Sequence, residues 1–122
     1  MYRKGERRIL VVDDDDGILS LLKNCMEGMG ISVDTARNGV EAIRLWRAGT
    51  YGLIMTDVVY MYSGGIDLVQ QIRAVDSEIP ILVMTGYGEE VAQEAVAAGA
   101  NHILLKPFHL FEVRELVARM LR

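Results

Sequence analysis

The stretch ILVVDDDDGI, residues 9–18, decides how the rest of the chain is read. Four apolar residues run without any turn signal into four carboxylates. Two like charges about 4 Å apart repel by roughly 4 kcal/mol at the effective dielectric of a protein surface. Something must offset that repulsion, so the stretch reads as a buried strand that ends at a binding site.

Further short apolar runs lie at 31–36, 53–56, 81–85 and 103–105. Between them, apolar residues recur at helical spacing: Ile18, Leu22, Met26 and Met29; Val40, Ile43 and Trp46; Leu68, Ile72 and Val75; Val91, Ala95 and Ala98; Leu110, Val113, Val117 and Met120. Gly30, Gly49 and Gly99 follow three of these segments, where a left-handed residue commonly closes a helix, and Asn38 stands where an N-cap belongs. The order is therefore βαβαβαβαβα. Strands that are apolar on both faces and alternate with helices belong in a parallel sheet covered on both sides through right-handed crossovers. The predicted fold is α/β, a doubly wound five-stranded sheet with five helices in a three-layer sandwich.

The composition agrees with one such domain: 122 residues, 51% hydrophobic and 25% charged. A net charge of −4 argues against a nucleic-acid surface, which needs clustered excess Lys and Arg, so no direct nucleic-acid binding is expected. Basic residues concentrate only in the leader 1–8, at Arg3, Lys4, Arg7 and Arg8, which reads as a solvated start and not as a signal peptide. The domain is placed at 9–122. No apolar run approaches membrane-spanning length. The single cysteine, Cys25, leaves no intramolecular disulfide, suits a reducing cytoplasm, and reads as a core residue.

In a doubly wound sheet, ligands collect outside the carboxyl ends of the strands. Strand one ends in Asp13 and Asp14, strand three in Thr56 and Asp57, strand four in Thr85 and Gly86, strand five in Lys106 and Pro107. Taken singly, each has a plain structural role. Asp15 or Asp16 caps the first helix, Asp57 is a loop acid, Thr85 a β-branched strand residue, Lys106 a solvated end. A helix needs only one cap, however, and four strand ends deliver chemistry to one edge. Clustered hard oxygens suit Mg²⁺. With a phosphoryl group on Asp57, the cation and Lys106 would neutralise its oxygens and the Thr85 hydroxyl would donate to one of them.

The segments ILVVDDDDGI, LIMTD, ILVMTG and ILLKPF, in this order and spacing, resemble the receiver domain of two-component response regulators, over essentially the whole chain from residue 9. The resemblance implies the flavodoxin-like strand order 2-1-3-4-5, Asp57 as phosphoacceptor, and Mg²⁺ held by Asp13, Asp14, Asp57 and the Val59 backbone carbonyl. It implies that Lys106 and Thr85 contact the phosphoryl group, and that the Lys106-Pro107 bond is cis. It further implies a histidine kinase or histidine phosphotransfer protein as donor. Such a domain is not an enzyme with turnover; it undergoes Mg-dependent self-phosphorylation and slow autodephosphorylation. With no helix-turn-helix or long linker after residue 122, output is expected through docking on another protein or through an effector domain outside this sequence. The fourth helix, fifth strand and fifth helix form the expected output face, and the first helix and acidic loops the kinase face.

Three departures from the family stand out. Residues 60–65 read YMYSGG where receivers usually carry a proline and a Met-Asp-Gly sequence, which predicts a looser backbone with two tyrosines on it. Ile103 occupies the place of the usual switching Tyr or Phe, so coupling must run through aliphatic repacking, the helix over 89–98, or His102, although His102 and His109 read as surface residues. Val59 and Tyr87 stand where receivers govern access of water to the phosphoryl group.

Two other functional classes compete. Asp13 and Asp15 fit the start of a haloacid-dehalogenase-like phosphohydrolase, with Asp13 as nucleophile, but that family needs another acidic pair after the lysine, and only Glu112 and Glu115 remain there. A degenerate receiver that binds partners without phosphorylation fits the altered loop and Ile103, yet leaves the intact acidic pair, acceptor, threonine and lysine without a use. On the receiver reading, Val59 cannot orient a water and Tyr87 shields the acyl phosphate. The double variant Val59→Asn with Tyr87→Ala should therefore shorten the phosphoprotein half-life; an unchanged or longer half-life contradicts the shielding.

Overall fold

The computed structural model describes residues 2–57, 66–86 and 88–121. Its elements are β1 (Arg8–Val12), α1 (Asp16–Glu27), β2 (Ser32–Ala36), α2 (Gly39–Ala48), β3 (Leu53–Asp57), α3 (Ile66–Val75), β4 (Ile81–Thr85), α4 (Glu89–Ala98), β5 (His102–Leu105) and α5 (Leu110–Met120). All pairings are parallel, in the order β2-β1-β3-β4-β5. The expected α/β sandwich with strand order 2-1-3-4-5 is therefore the observed one.

Period-two alternation along β1 sorts its side chains between two cores. Ile9 and Val11 join Leu19, Leu22 and Met26 of α1 and Val113 and Val117 of α5 on one face. Leu10 and Val12 join Ala42 and Trp46 of α2, Leu68, Val69 and Ile72 of α3 and Ala95 of α4 on the other. Each fully buried aliphatic side chain of this kind contributes about 1.5–3 kcal/mol of transfer free energy. A central strand buried on both faces needs no polar side, which is why 9–12 is apolar throughout.

The helix ends follow local chemistry. Asp15 caps α1, accepting from the Gly17 and Ile18 amides at 2.8 and 3.2 Å. Asn38 caps α2 through the Glu41 amide at 2.8 Å. Gly30 and Gly99 have positive φ, as expected, but Gly49 sits at φ −126° and closes α2 in extended backbone. Val40 and Val75 are exposed although their spacing places them on the apolar stripes. They occupy the first turn of α2 and the last residue of α3, at helix ends that the core does not cover. Cys25 is half-buried, not core, because the inward stripe of α1 runs through Leu22 and Met26.

The leader is tied to the domain at several points. β1 begins at Arg8, inside the segment read as leader, and the Arg8 carbonyl accepts from the Gly52 amide at 2.8 Å. A Cβ on Gly52 would collide with the Glu6 carbonyl oxygen, so only glycine admits the leader at this distance. The Tyr2 amide donates to Asp76 Oδ2 at 2.9 Å, and the Arg7 guanidinium to the Met29 carbonyl at 3.2 Å.

Arg8 also meets Asp34 of the edge strand β2. Its Nε and Nη2 donate to Asp34 Oδ2 at 2.9 and 2.7 Å, and the Tyr51 hydroxyl donates to the same oxygen at 2.7 Å. Burial alone would raise the Asp34 pKa, but the bonds from Tyr51 and Arg8 outweigh it and hold the carboxyl below its ordinary value. A depressed pKa contributes stability that is present above the unfolded value of about 3.9 and is lost as pH falls through the folded value. Tyr51→Phe should thus cost about 1 kcal/mol at pH 7, the worth of one hydrogen bond to a partly solvated charge. The deficit should shrink below about pH 4; urea melts at both pH values measure it, and a deficit independent of pH would contradict the linkage.

Candidate functional site

Going from β1 to β2 and then back to β3, the chain reverses direction in the sheet between β1 and β3, and ligand crevices form at such reversals. Asp13 and Asp14 follow β1 directly, Asp57 ends β3, Thr85 ends β4, and Lys106 follows β5. The Lys106 ammonium donates to Asp13 Oδ2 at 3.0 Å and to Asp57 Oδ2 at 3.1 Å. Carboxylate oxygens of Asp13, Asp14 and Asp57 all lie within 4.8 Å of one another.

Main-chain bonds hold these groups in place. The Asp13 amide donates to the Ala36 carbonyl at 3.1 Å, carrying the β1–β2 pairing one residue past the strand. Asp13 Oδ1 accepts from the Asp15 amide at 3.0 Å. The Lys106 amide donates to the Thr85 carbonyl at 2.7 Å, and the Lys106-Pro107 peptide is cis. Of the four consecutive aspartates, Asp13 and Asp14 face the cluster, Asp15 caps α1, and Asp16 pairs with Arg37 at 3.1 Å on the surface.

Asp13 is 1% exposed, and burial pushes its carboxyl pKa up, with the Asp57 charge adding to the rise against the opposing bonds from the Asp15 amide and Lys106. For Lys106, burial favours the neutral amine, but hydrogen bonds to Asp13 and Asp57 outweigh it and raise the ammonium above its ordinary value. One shared positive charge cannot neutralise three carboxylates. The oxygen-only donor set and residual negative charge fit a hard divalent cation.

Of the residues singled out in the sequence, Asp13, Asp14, Asp57 and Lys106 meet directly. Thr85 is fully buried and joins the group through its carbonyl. Val59, Tyr87 and the loop 60–65 lie outside the described residues. Ile103 is partly buried and packs on the core beneath α2, α3 and α4, in register with Val83. His102 and His109 are exposed, as expected. The Asp15 amide bond to the Asp13 carboxylate went unread, because its donor is a main-chain group that residue type does not reveal.

A family model described as the response regulator receiver domain matches residues 9–118. The chain belongs to the response regulator receiver family. This receiver is 37% identical over 119 residues to the response regulator protein PilR of Pseudomonas aeruginosa, covering 97% of this chain and 27% of that protein. It is 38% identical over 116 residues to the response regulator MprA of Mycobacterium sp. (strain KMS), covering 93% and 48%. The receiver thus spans between about a quarter and a half of the curated relatives it matches. Among solved structures, the chemotaxis response regulator CheY4 of Vibrio cholerae superposes with a TM-score of 0.86 at 29% identity, over 93% of this chain and 98% of that one. A two-component response regulator from Clostridium difficile gives 0.85 at 33%, over 94% and 95%.

The raised Asp13 pKa has a sign that can be measured. Its contribution to stability is complete below the unfolded value of about 3.9 and is lost as pH rises through the folded value. Without divalent cations, Asp13→Asn should therefore resist urea better than the wild type at pH 7, and this advantage should narrow by about pH 4. Equal midpoints at pH 7 would remove the electrostatic account.

Proposed function

We propose that this receiver takes a phosphoryl group onto Asp57 from a histidine kinase or histidine phosphotransfer protein, with Mg²⁺ as cofactor, and passes the signal to an output protein or an effector domain. The observation that carries the reading is the Lys106 ammonium bonded at once to Asp13 and Asp57, with Asp14 beside them. The Asp57 carboxylate oxygen forms the new bond to phosphorus as the bond from phosphorus to the donor's imidazole nitrogen breaks, and that nitrogen keeps the electron pair. A carboxylate needs no general base for this attack, so alignment and charge neutralisation do most of the work. Lys106 orients Asp57 before transfer and offers its ammonium to the phosphoryl oxygens afterwards, while the Thr85 hydroxyl donates to one of them. Asp13, Asp14 and Asp57, together with the Val59 carbonyl that the family resemblance adds, would hold Mg²⁺, which would supply the remaining positive charge.

This chemistry is stoichiometric: one carboxylate is both nucleophile and product, and the protein is a signalling module of the cytoplasm and no turnover enzyme. None of the described helices is long and apolar enough to cross a membrane. The greater length of the curated relatives supports an output partner or domain beyond this fold.

Incubation with acetyl phosphate and Mg²⁺, followed by intact mass, should add a single phosphoryl group. Asp57→Asn should take up none, and Asp13→Asn should react about 100-fold more slowly at the same Mg²⁺ concentration, the scale of a lost metal contact. Rapid release of many equivalents of phosphate with no label retained on Asp57 would point to a phosphohydrolase, since slow release is the autodephosphorylation expected of a receiver. An unlabelled wild type would point to an interaction module without phosphorylation. Either result overturns the proposal.

A further inference from the structure

Thr56 stands out in the core on the α2, α3 and α4 side. It is fully buried, and the register places it between Val12 of β1 and Val83 of β4, both buried members of that core. A hydroxyl in an apolar row is costly unless it is hydrogen-bonded, and valine has nearly the same shape without that liability. The Thr56 hydroxyl donates to the main-chain carbonyl of Asp57 at 3.2 Å.

The location of that bond gives it a use. Among the described residues the β1–β3 register runs to Val12↔Thr56, and the β3–β4 register runs one residue further, to Asp57↔Met84. Asp57 is thus the last residue of β3, at the edge where the reaction would take place. A side-chain hydroxyl bonded to an adjacent carbonyl adds a local restraint on that peptide at the strand end. It thereby restrains the Cα of Asp57 and the direction in which its carboxylate leaves the sheet. Catalytic groups lose rate steeply when their supporting atoms allow them to drift.

We infer that Thr56 is a positioning residue for Asp57, holding the acceptor's main chain so that its carboxylate stays in line with Lys106 and the cation pocket. The inference rests on the function proposed for Asp57 and adds to it a residue that touches neither phosphorus nor metal. Because Thr56 lies in a hydrophobic row, its removal separates positioning from folding: Thr56→Val should fold with a melting temperature equal to or above that of the wild type.

The test compares wild type, Thr56→Val, Thr56→Ser and Thr56→Ala. With acetyl phosphate at saturating Mg²⁺, Thr56→Val should lower the maximal labelling rate about fivefold, the worth of one neutral hydrogen bond, with little change in the donor concentration for half-maximal rate. Mg²⁺ titration calorimetry should show weaker binding by a similar factor, since Asp57 contributes an oxygen to the pocket. Thr56→Ser, which keeps the hydroxyl and loses a methyl group, should restore both quantities while being less stable than Thr56→Val. That inversion of stability and function is the signature of positioning, because a purely structural residue would move both in the same direction. Wild-type rate and affinity in Thr56→Val, or Thr56→Ser no better than Thr56→Ala, overturns the inference. If the wild type accepts no phosphoryl group, the receiver chemistry fails, and the Mg²⁺ titrations still decide whether Thr56 positions Asp57.

Discussion

A single ammonium shared between two carboxylates organises this molecule. Lys106 reaches Asp13 at 3.0 Å and Asp57 at 3.1 Å, joining the ends of β5, β1 and β3 in one contact. The join is incomplete by design of the charges: three carboxylates crowd the pocket and one cation answers them. Burial and the neighbouring Asp57 charge push Asp13 up even with Lys106 in place. A site left short of positive charge suits a hard divalent cation. The same imbalance works against folding of the cation-free protein, so the surrounding core must supply the difference.

That core is arranged to hold the site edge firmly. Side chains from β1 alternate between two hydrophobic layers, one closed by α1 and α5, the other by α2, α3 and α4. Main-chain amides carry this order past the strand ends: Asp13 to the Ala36 carbonyl, Lys106 to the Thr85 carbonyl, and Asp15 to the Asp13 carboxylate. The edge holding the strand starts is fastened differently. Arg73 donates to the carbonyls of Gly99 and Asp76 and to Asn101 Oδ1, and Asn101 in turn accepts from the Ile81 amide. Burial disfavours the Arg73 charge, and only this set of acceptors makes the position tenable. Gly99 is required there twice over, by its φ of +120° and by the Arg73 side chain lying where a Cβ would project. One edge is closed with satisfied polar groups, and the other is left with surplus charge for chemistry.

Much of the fold was legible because parallel strands buried on both faces write themselves as unbroken apolar runs, and caps such as Asp15 and Asn38 act over two or three residues. The placement of Asp13, Asp14, Asp57, Thr85 and Lys106 at one edge was legible for a related reason: each ends a strand or follows one within two residues. Reading failed where the outcome depends on what lies opposite. Val40 and Val75 keep helical spacing yet face solvent, since spacing does not say which turns of a helix the core covers. The leader looked solvated, but Gly52 and Asp76, far along the chain, receive it. Gly49 ends a helix without the left-handed turn its position suggests.

The amino-acid sequence alone determined the alternation of strands and helices and the kinds of side chain that stand at the strand ends, because both are set by neighbours a few residues away. Only the tertiary structure decided which of those side chains meet. Lys106 and Asp13 are 93 residues apart in the chain, and strand order and register close that gap to a hydrogen bond. Charge acts over ångströms in space, so the pocket exists only once the sheet has been assembled.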